Sequence, residues 1–223
     1  MSSAVIQLLV LAGIALFLIL RLKNVLGTRD GFEKPPVSGD DRAGARQVRQ
    51  RPEFEVIEGG PDHDIVDHVA DGSDDAKALA GMKMAEPGFG VGDFLGGARG
   101  AYEMILGAFE KGDISEVRDF LDPDVAEAFE GVIEQRREQG LTVESEILGV
   151  RDVELYKATF DRETRHAELT VRFLAELTVV VRDAEGKIVE GDPNEIKRQR
   201  DTWTFARTMG ADDPNWVLVA TGD

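Results

Sequence analysis

The chain has 223 residues, no cysteine and a formal net charge of −17. An acid surplus of this size repels phosphate backbones and argues against a nucleic-acid partner. Without thiols there is no cysteine nucleophile, disulfide or thiolate metal site, and a reducing compartment suits the composition.

The first element is the apolar run Ala4–Leu20, broken only by Gln7 and followed at once by Arg21 and Lys23. Its seventeen residues, at a helical rise of about 1.5 Å each, reach across a thin bilayer core. A cleaved signal peptide would carry its basic residues in front of the run, whereas here they all come after it. The expectation is an uncleaved anchor over residues 1–22, with the N-terminus outside. The basic side chains hold the rest of the chain on the inner face of a bacterial plasma membrane, or on the matrix side of a mitochondrial inner membrane.

Charge then divides the remainder. Residues 21–51 carry eight basic and four acidic side chains, residues 52–92 two and ten, and residues 93–223 sixteen and twenty-nine. The basic block sits where anionic lipid would attract it. Five prolines and a run of aspartates interrupt any apolar period between residues 23 and 92, so this stretch reads as a disordered linker, basic and then acidic.

Residues 93–223 read as one folded domain. Asp93 is a candidate cap for a helix carrying Tyr102, Ile105, Leu106 and Phe109, ended by Lys111-Gly112-Asp113. A short second helix aligns Ile114, Val117 and Leu121. Asp122-Pro123 opens a third, with Val125, Phe129, Val132 and Ile133 on one stripe and Gly140 at its end. Beyond Gly140 the period becomes two. Leu141–Lys157 reads as a strand with a bulge at Gly149, and Ala167 through Val181 alternate apolar with polar. Asp183–Gly186 is a turn, and further strands run over Glu195–Thr208 and Trp216–Thr221. The fold class is α+β, with three helices on a curved antiparallel sheet of about four strands.

Catalytic patterns are missing. Gly88, Gly90, Gly92, Gly96 and Gly97 lack the G-x-G-x-x-G spacing and follow Pro87, so they read as a hinge. His63 and His68 share no helix face and suit a solvated linker better than a metal site. No metal or cofactor is expected. Asp201, Glu176, Tyr102 and Tyr156 are candidate polar groups.

Two stretches carry a resemblance. Asp201-Thr-Trp-Thr-Phe-Ala-Arg207 with Asp213-Pro-Asn-Trp-Val-Leu-Val-Ala-Thr221 resembles the signature of the Tim44-like domain family, whose founding member is a matrix-side subunit of the mitochondrial presequence translocase. The anchor, with Arg21-Leu-Lys-Asn-Val-Leu-Gly-Thr-Arg29 and Gly31-Phe-Glu-Lys-Pro-Pro36, resembles the family's bacterial TimA adaptors. The resemblance implies a nuclear-transport-factor-two-like cone, helices against a bent sheet around an apolar pocket. Phe94, Tyr102, Ile105, Phe109, Phe129, Trp203, Phe205 and Trp216 are the candidate pocket contacts, at spacings that equally suit a packed core. It also implies a non-enzymatic adaptor with a protein partner of unknown identity, linked to protein translocation or membrane-protein assembly. Anionic lipid is a further candidate partner, touched by Phe94–Tyr102. The alternatives are a small-ligand enzyme or lipid-binding module using the pocket, and a secretion-system assembly factor.

Overall fold

A computed structural model describes residues 62–222. The expected anchor and the basic part of the expected linker lie outside these residues, and among the described ones no helix is long and apolar enough to cross a membrane.

The chain enters through two helices where the composition suggests a disordered linker. Helix α1 spans His63–Val66 and α2 spans Asp74–Ala85. The Ser73 hydroxyl caps α2 by accepting from Ala76 N at 3.0 Å, a local signal at the N-cap position. Ala76, Leu79 and Met82 recur at i, i+3 and are buried, the last two completely. This stretch is ordered rather than a disordered linker because the aspartates that would solvate a linker are its fastenings. Asp64 accepts from Val91 N at 2.8 Å and Gly92 N at 3.0 Å, while its carboxylate pairs with Lys83 at 2.7 Å.

Helix α3 spans Val91–Lys111. Gly90, which has no side chain to offer, occupies its N-cap position. The expected cap, Asp93, is inside the helix, and Asp64 supplies the carboxylate at the N-terminal amides from a distant part of the chain. At the other end Gly112 takes φ 76°. Gly112 N and Asp113 N donate back to Phe109 and Ala108 carbonyls, each at 3.1 Å, the paired closure of a Schellman motif. A 3-10 turn over Ser115–Phe120 buries Val117. Helix α4 spans Pro123–Glu138, with Asp122 as cap and proline in its first turn, as the sequence predicts.

The sheet has five antiparallel strands: β1 Thr142–Phe160, β2 His166–Arg182, β3 Ile188–Gly191, β4 Lys197–Thr208 and β5 Val217–Gly222. Their order is β1-β2-β4-β5, with β3 paired to the far end of β2. The fold is therefore α+β with one more strand than expected, because the chain leaving the Asp183–Gly186 turn folds back on β2. Ala167, Leu169, Val171, Phe173, Ala175 and Leu177 are buried under α3 and its neighbours. After Leu177 the alternation shifts and Val180, not Val179 or Val181, is buried, at the place where β3 joins. Three register shifts interrupt β1, at Ile147/Gly149, Val150/Asp152 and Leu155/Lys157, and bulges of this kind bend a long strand.

β1 is an edge strand, and helices attend to its free side. Asp75 of α2 accepts from Ala158 N at 2.8 Å, and Arg99 of α3 donates to the Val150 carbonyl at 2.5 Å. These satisfy edge groups that would otherwise be open to pairing. At the other edge, Leu121 bridges Leu218 and Asp122 N donates to the Leu218 carbonyl at 2.9 Å.

Candidate functional site

The inner face of the sheet is where the sequence places a site, and there the structure builds an aromatic interior. Tyr102 from α3 stacks on Phe173 of β2, with ring centroids 4.4 Å apart and planes 16° apart. Trp203 of β4 lies 4.7 Å from the same ring. Phe205 continues the row from Trp203 at 6.3 Å. Phe94 stands edge-on to Phe205 at 6.0 Å and 4.8 Å from Trp216. Offset and edge-on contacts at such distances each add a little to the burial that drives the packing.

Five of the eight candidate contacts, Phe94, Tyr102, Trp203, Phe205 and Trp216, thus form one cluster, and Ile105 is fully buried. Phe109 and Phe129 form a second, separate pair at 4.6 Å, capped by the Arg136 guanidinium 4.5 Å from the Phe109 ring centroid. Phe94 and Leu95, candidates for a bilayer contact or for cover over the sheet, are only 7% and 8% exposed. Their apolar side chains complete the core.

One polar arrangement is set into this interior. The Tyr102 hydroxyl donates to Asp201 Oδ2 at 2.5 Å, and Gln199 Nε2 donates to the same oxygen at 2.9 Å. Burial, reinforced by the Asp201 carboxylate, pushes the Tyr102 pKa upward, so the phenol stays a donor. Glu110 follows Tyr102 and Leu106 at i, i+4 spacing along α3. Its Oε2 is buried without a hydrogen-bond partner. Burial raises the Glu110 pKa; Arg136 pulls the other way without cancelling the rise, and Asp201 adds to it.

The four polar residues that suit enzyme chemistry do not converge. Tyr102 and Asp201 meet inside. Glu176 lies between Arg151 at 2.7 Å and Arg198 at 3.2 Å, on a β2 position that alternates with buried Ala175 and Leu177, hence on the outer face. Tyr156 is exposed, with Arg172 stacked on its ring at 3.5 Å. Phe173 completes the buried cluster, Gln199, Glu110 and Arg136 are half-buried around it, and sequence reasoning marks none of the four as site residues. The i, i+4 stripe of α3 would have pointed to Glu110, and the two-residue alternation of β4 through Gln199, Asp201 and Trp203 to Gln199.

An open groove of about 320 Å³ lies elsewhere, where the end of α3 and the 3-10 turn meet α4. Ile114 and Ile133 form its floor and Arg118, Arg137, Glu130 and Glu134 its rim. Both arginines are already paired, Arg118 with Glu130 and Arg137 with Glu134. None of the eight candidate contacts lines it. Among the described residues no three metal-ligating side chains gather.

A second fastening joins the ends of the folded region. Arg207 donates to Glu86 Oε1 at 2.7 Å and to the Pro214 carbonyl at 2.8 Å, with its guanidinium over Trp216. Gly210 N donates to Glu86 Oε2 at 2.8 Å. Arg207 and Trp216 both belong to the C-terminal stretches that carry the resemblance, and here they secure the end of α2.

Comparison with known proteins agrees with that resemblance. The human mitochondrial import inner membrane translocase subunit TIM44 is 28% identical over 117 residues, covering 52% of this chain and 25% of that protein. The chain therefore spans about a quarter of the length of this curated relative. A crystal structure of the intermembrane space region of the chloroplast protein ARC6 aligns with a TM-score of 0.39 at 10% identity, over 56% of this chain and 92% of that one. The profile of the Tim44-like domain matches residues 75–223. The chain belongs to the Tim44-like domain family.

Proposed function

We propose that this protein is a non-enzymatic, membrane-anchored adaptor that presents its Tim44-like domain at the inner face of an inner membrane, in the service of protein translocation or membrane-protein assembly. Family membership over residues 75–223 is the observation that carries the reading, since the human relative is a translocase subunit by name. In this reading residues 1–22 are the anchor and residues 23–61 the tether. The folded part begins near Asp62, and its bent sheet is a nuclear-transport-factor-two-like cone. The protein partner docks on the domain surface, and nucleic acid does not. Two observations support an adaptor over a small-ligand enzyme. The Tyr102 ring is fully buried against Phe173 and Trp203 with its hydroxyl bonded to Asp201, and Glu176 and Tyr156 lie on the other side of the sheet.

The test has two arms. A reporter fused to the C-terminus reads out its side of the membrane; an inner-face signal is expected, and an outer-face signal excludes this topology and favours a secretion-system assembly factor. Crosslinking in native membranes then asks for a partner. A protein recovered reproducibly with the full chain, and lost when residues 62–223 are deleted, is the expected result; equal recovery with the deleted form overturns the adaptor reading.

A further inference from the structure

The stretch Asp62–Phe89 is held differently from the rest of the folded region. It supplies no strand. Among the described residues no backbone-to-backbone hydrogen bond joins it to the sheet, the 3-10 turn or α4. Its polar ties run through side chains, and three of them are carboxylates taking backbone N–H groups: Asp64 at the start of α3, Asp75 on β1 and Glu86 at Gly210. The remaining hold is apolar. Leu79 and Met82 are fully buried, Phe89 lies 6.1 Å from Trp216, and Gly81 passes so close to Phe160 that a Cβ there would come within 2.7 Å of the ring.

We propose that Asp62–Phe89 is a releasable strap, which leaves the domain as one unit while the sheet stays folded, and which uncovers the free edge of β1 around Ala158 and Phe160 when it does so. Three features combine to make this opening separable. Side-chain ties can be exchanged for water without breaking a single rung of the β1–β2 ladder. Regions fastened by few main-chain bonds sit at the low end of the range of local opening free energies. The strap also carries seven acidic and two basic side chains against a domain that is itself acidic, so its long-range electrostatics favour departure and its specific contacts oppose it. The polar contacts that join the strap to the rest of the domain, 2.7–3.0 Å long, concentrate at Asp64, Asp75 and Glu86. Loss of one carboxylate therefore shifts the balance of the whole segment rather than of one residue.

Hydrogen exchange of the full chain in detergent at neutral pH, read by mass spectrometry across a denaturant series, tests the proposal. In the wild type, peptides within 62–89 are expected to exchange at least about tenfold faster than those within 167–177, with a shallower denaturant dependence. The double variant D64N/E86Q keeps side-chain shape and weakens both acceptors. It should speed the strap by about a further tenfold and leave 167–177 within about twofold of wild type. Equal rates and equal denaturant slopes for strap and β2 in the wild type overturn the proposal, as does a double variant that accelerates both regions alike. If the double variant does not fold, the wild-type series decides alone, by the same criterion of separate or shared slopes.

Discussion

Tyr102→Phe isolates one hydrogen bond in a packed interior. The substitution keeps the ring, its 4.4 Å stack on Phe173 and its contact with Trp203, and removes only the hydroxyl that donates to Asp201 at 2.5 Å. Tyr102 is fully buried, so water has no ready route to replace the lost donor. A hydrogen bond to a charged acceptor contributes about 1.5–3 kcal/mol net. Asp201 retains Gln199 as a donor at 2.9 Å, which places the expected loss in the lower half of that range, about 1.5–2 kcal/mol. For a folded unit of this size, 1 kcal/mol corresponds to about 2–4 °C in Tm, so Tyr102→Phe should melt about 3–8 °C below wild type. Thermal and urea unfolding followed by circular dichroism in detergent measures it, with an unchanged urea slope showing that the folded state has not expanded. A variant within about 0.5 kcal/mol of wild type would refute the reasoning, because Asp201 would then have found another donor or would be carrying no charge.

The other predictions are simpler. Gly191→Ala places a Cβ 2.1 Å from the Val179 carbonyl oxygen at φ 83°, so it should destabilise the β2–β3 end by more than the ~1 kcal/mol that the left-handed conformation alone costs, seen as a lower urea midpoint. Leu79→Ala deletes a fully buried side chain and should cost about 2–5 kcal/mol of the strap's attachment, read as faster exchange over 62–89. Acidification should loosen the same segment. The Asp64 and Glu86 pKa values lie below their ordinary values in the folded state: burial opposes the shift, and it is overcome at Asp64 by Lys83 and the Gly92 and Val91 amides, and at Glu86 by the Gly210 amide and Arg207. A depressed carboxylate pKa stabilises the fold above its unfolded value and loses that contribution as pH falls through the folded value. The groups facing these two carboxylates are Lys83, Asp62 and Asp93 around Asp64, and Arg207 and Arg165 around Glu86 and Gly210. Since the three basic groups stay charged throughout, Tm should fall below about pH 4, and D64N/E86Q should flatten that fall.

How much of the fold is legible in the sequence depends on the range of the forces involved. Asp122-Pro123, Gly112 and Gly140 announce helix ends because a cap is settled within a few residues. Ala167 to Leu177 announce a strand because one face is packed along its whole length. The alternation stops being informative at Val179, since burial there depends on a fifth strand returning from Asp183–Gly186. The stretch 62–92 is illegible for the opposite reason. Its composition is that of a solvated linker, and the partners that order it lie at its far end, as Gly92 does for Asp64, or well beyond it, as Ala158, Arg207 and Gly210 do, up to 124 positions away. A composition argument weighs Asp64 and Glu86 as charge to be hydrated and has no means of seeing the amides they meet. In the interior, residue types and spacing mark the aromatics individually. Their division into a Phe94–Trp216 group and a Phe109–Phe129 pair depends on how α3 and α4 cross the sheet, which periodicity does not encode.

The attention given to the edge of β1 bears on how this domain should be cut. A recombinant fragment beginning at residue 93, where the apolar periodicity first becomes obvious, would retain Arg99 on the Val150 carbonyl but lose Asp75 from Ala158 and the whole of α2 from that edge. Its longest strand would then offer bare main-chain groups beside a newly exposed Phe160, the conditions under which sheets from different molecules join edge to edge. Such a fragment should go to inclusion bodies or elute as large assemblies. One beginning at residue 62 brings its own guard with it and should remain dispersed.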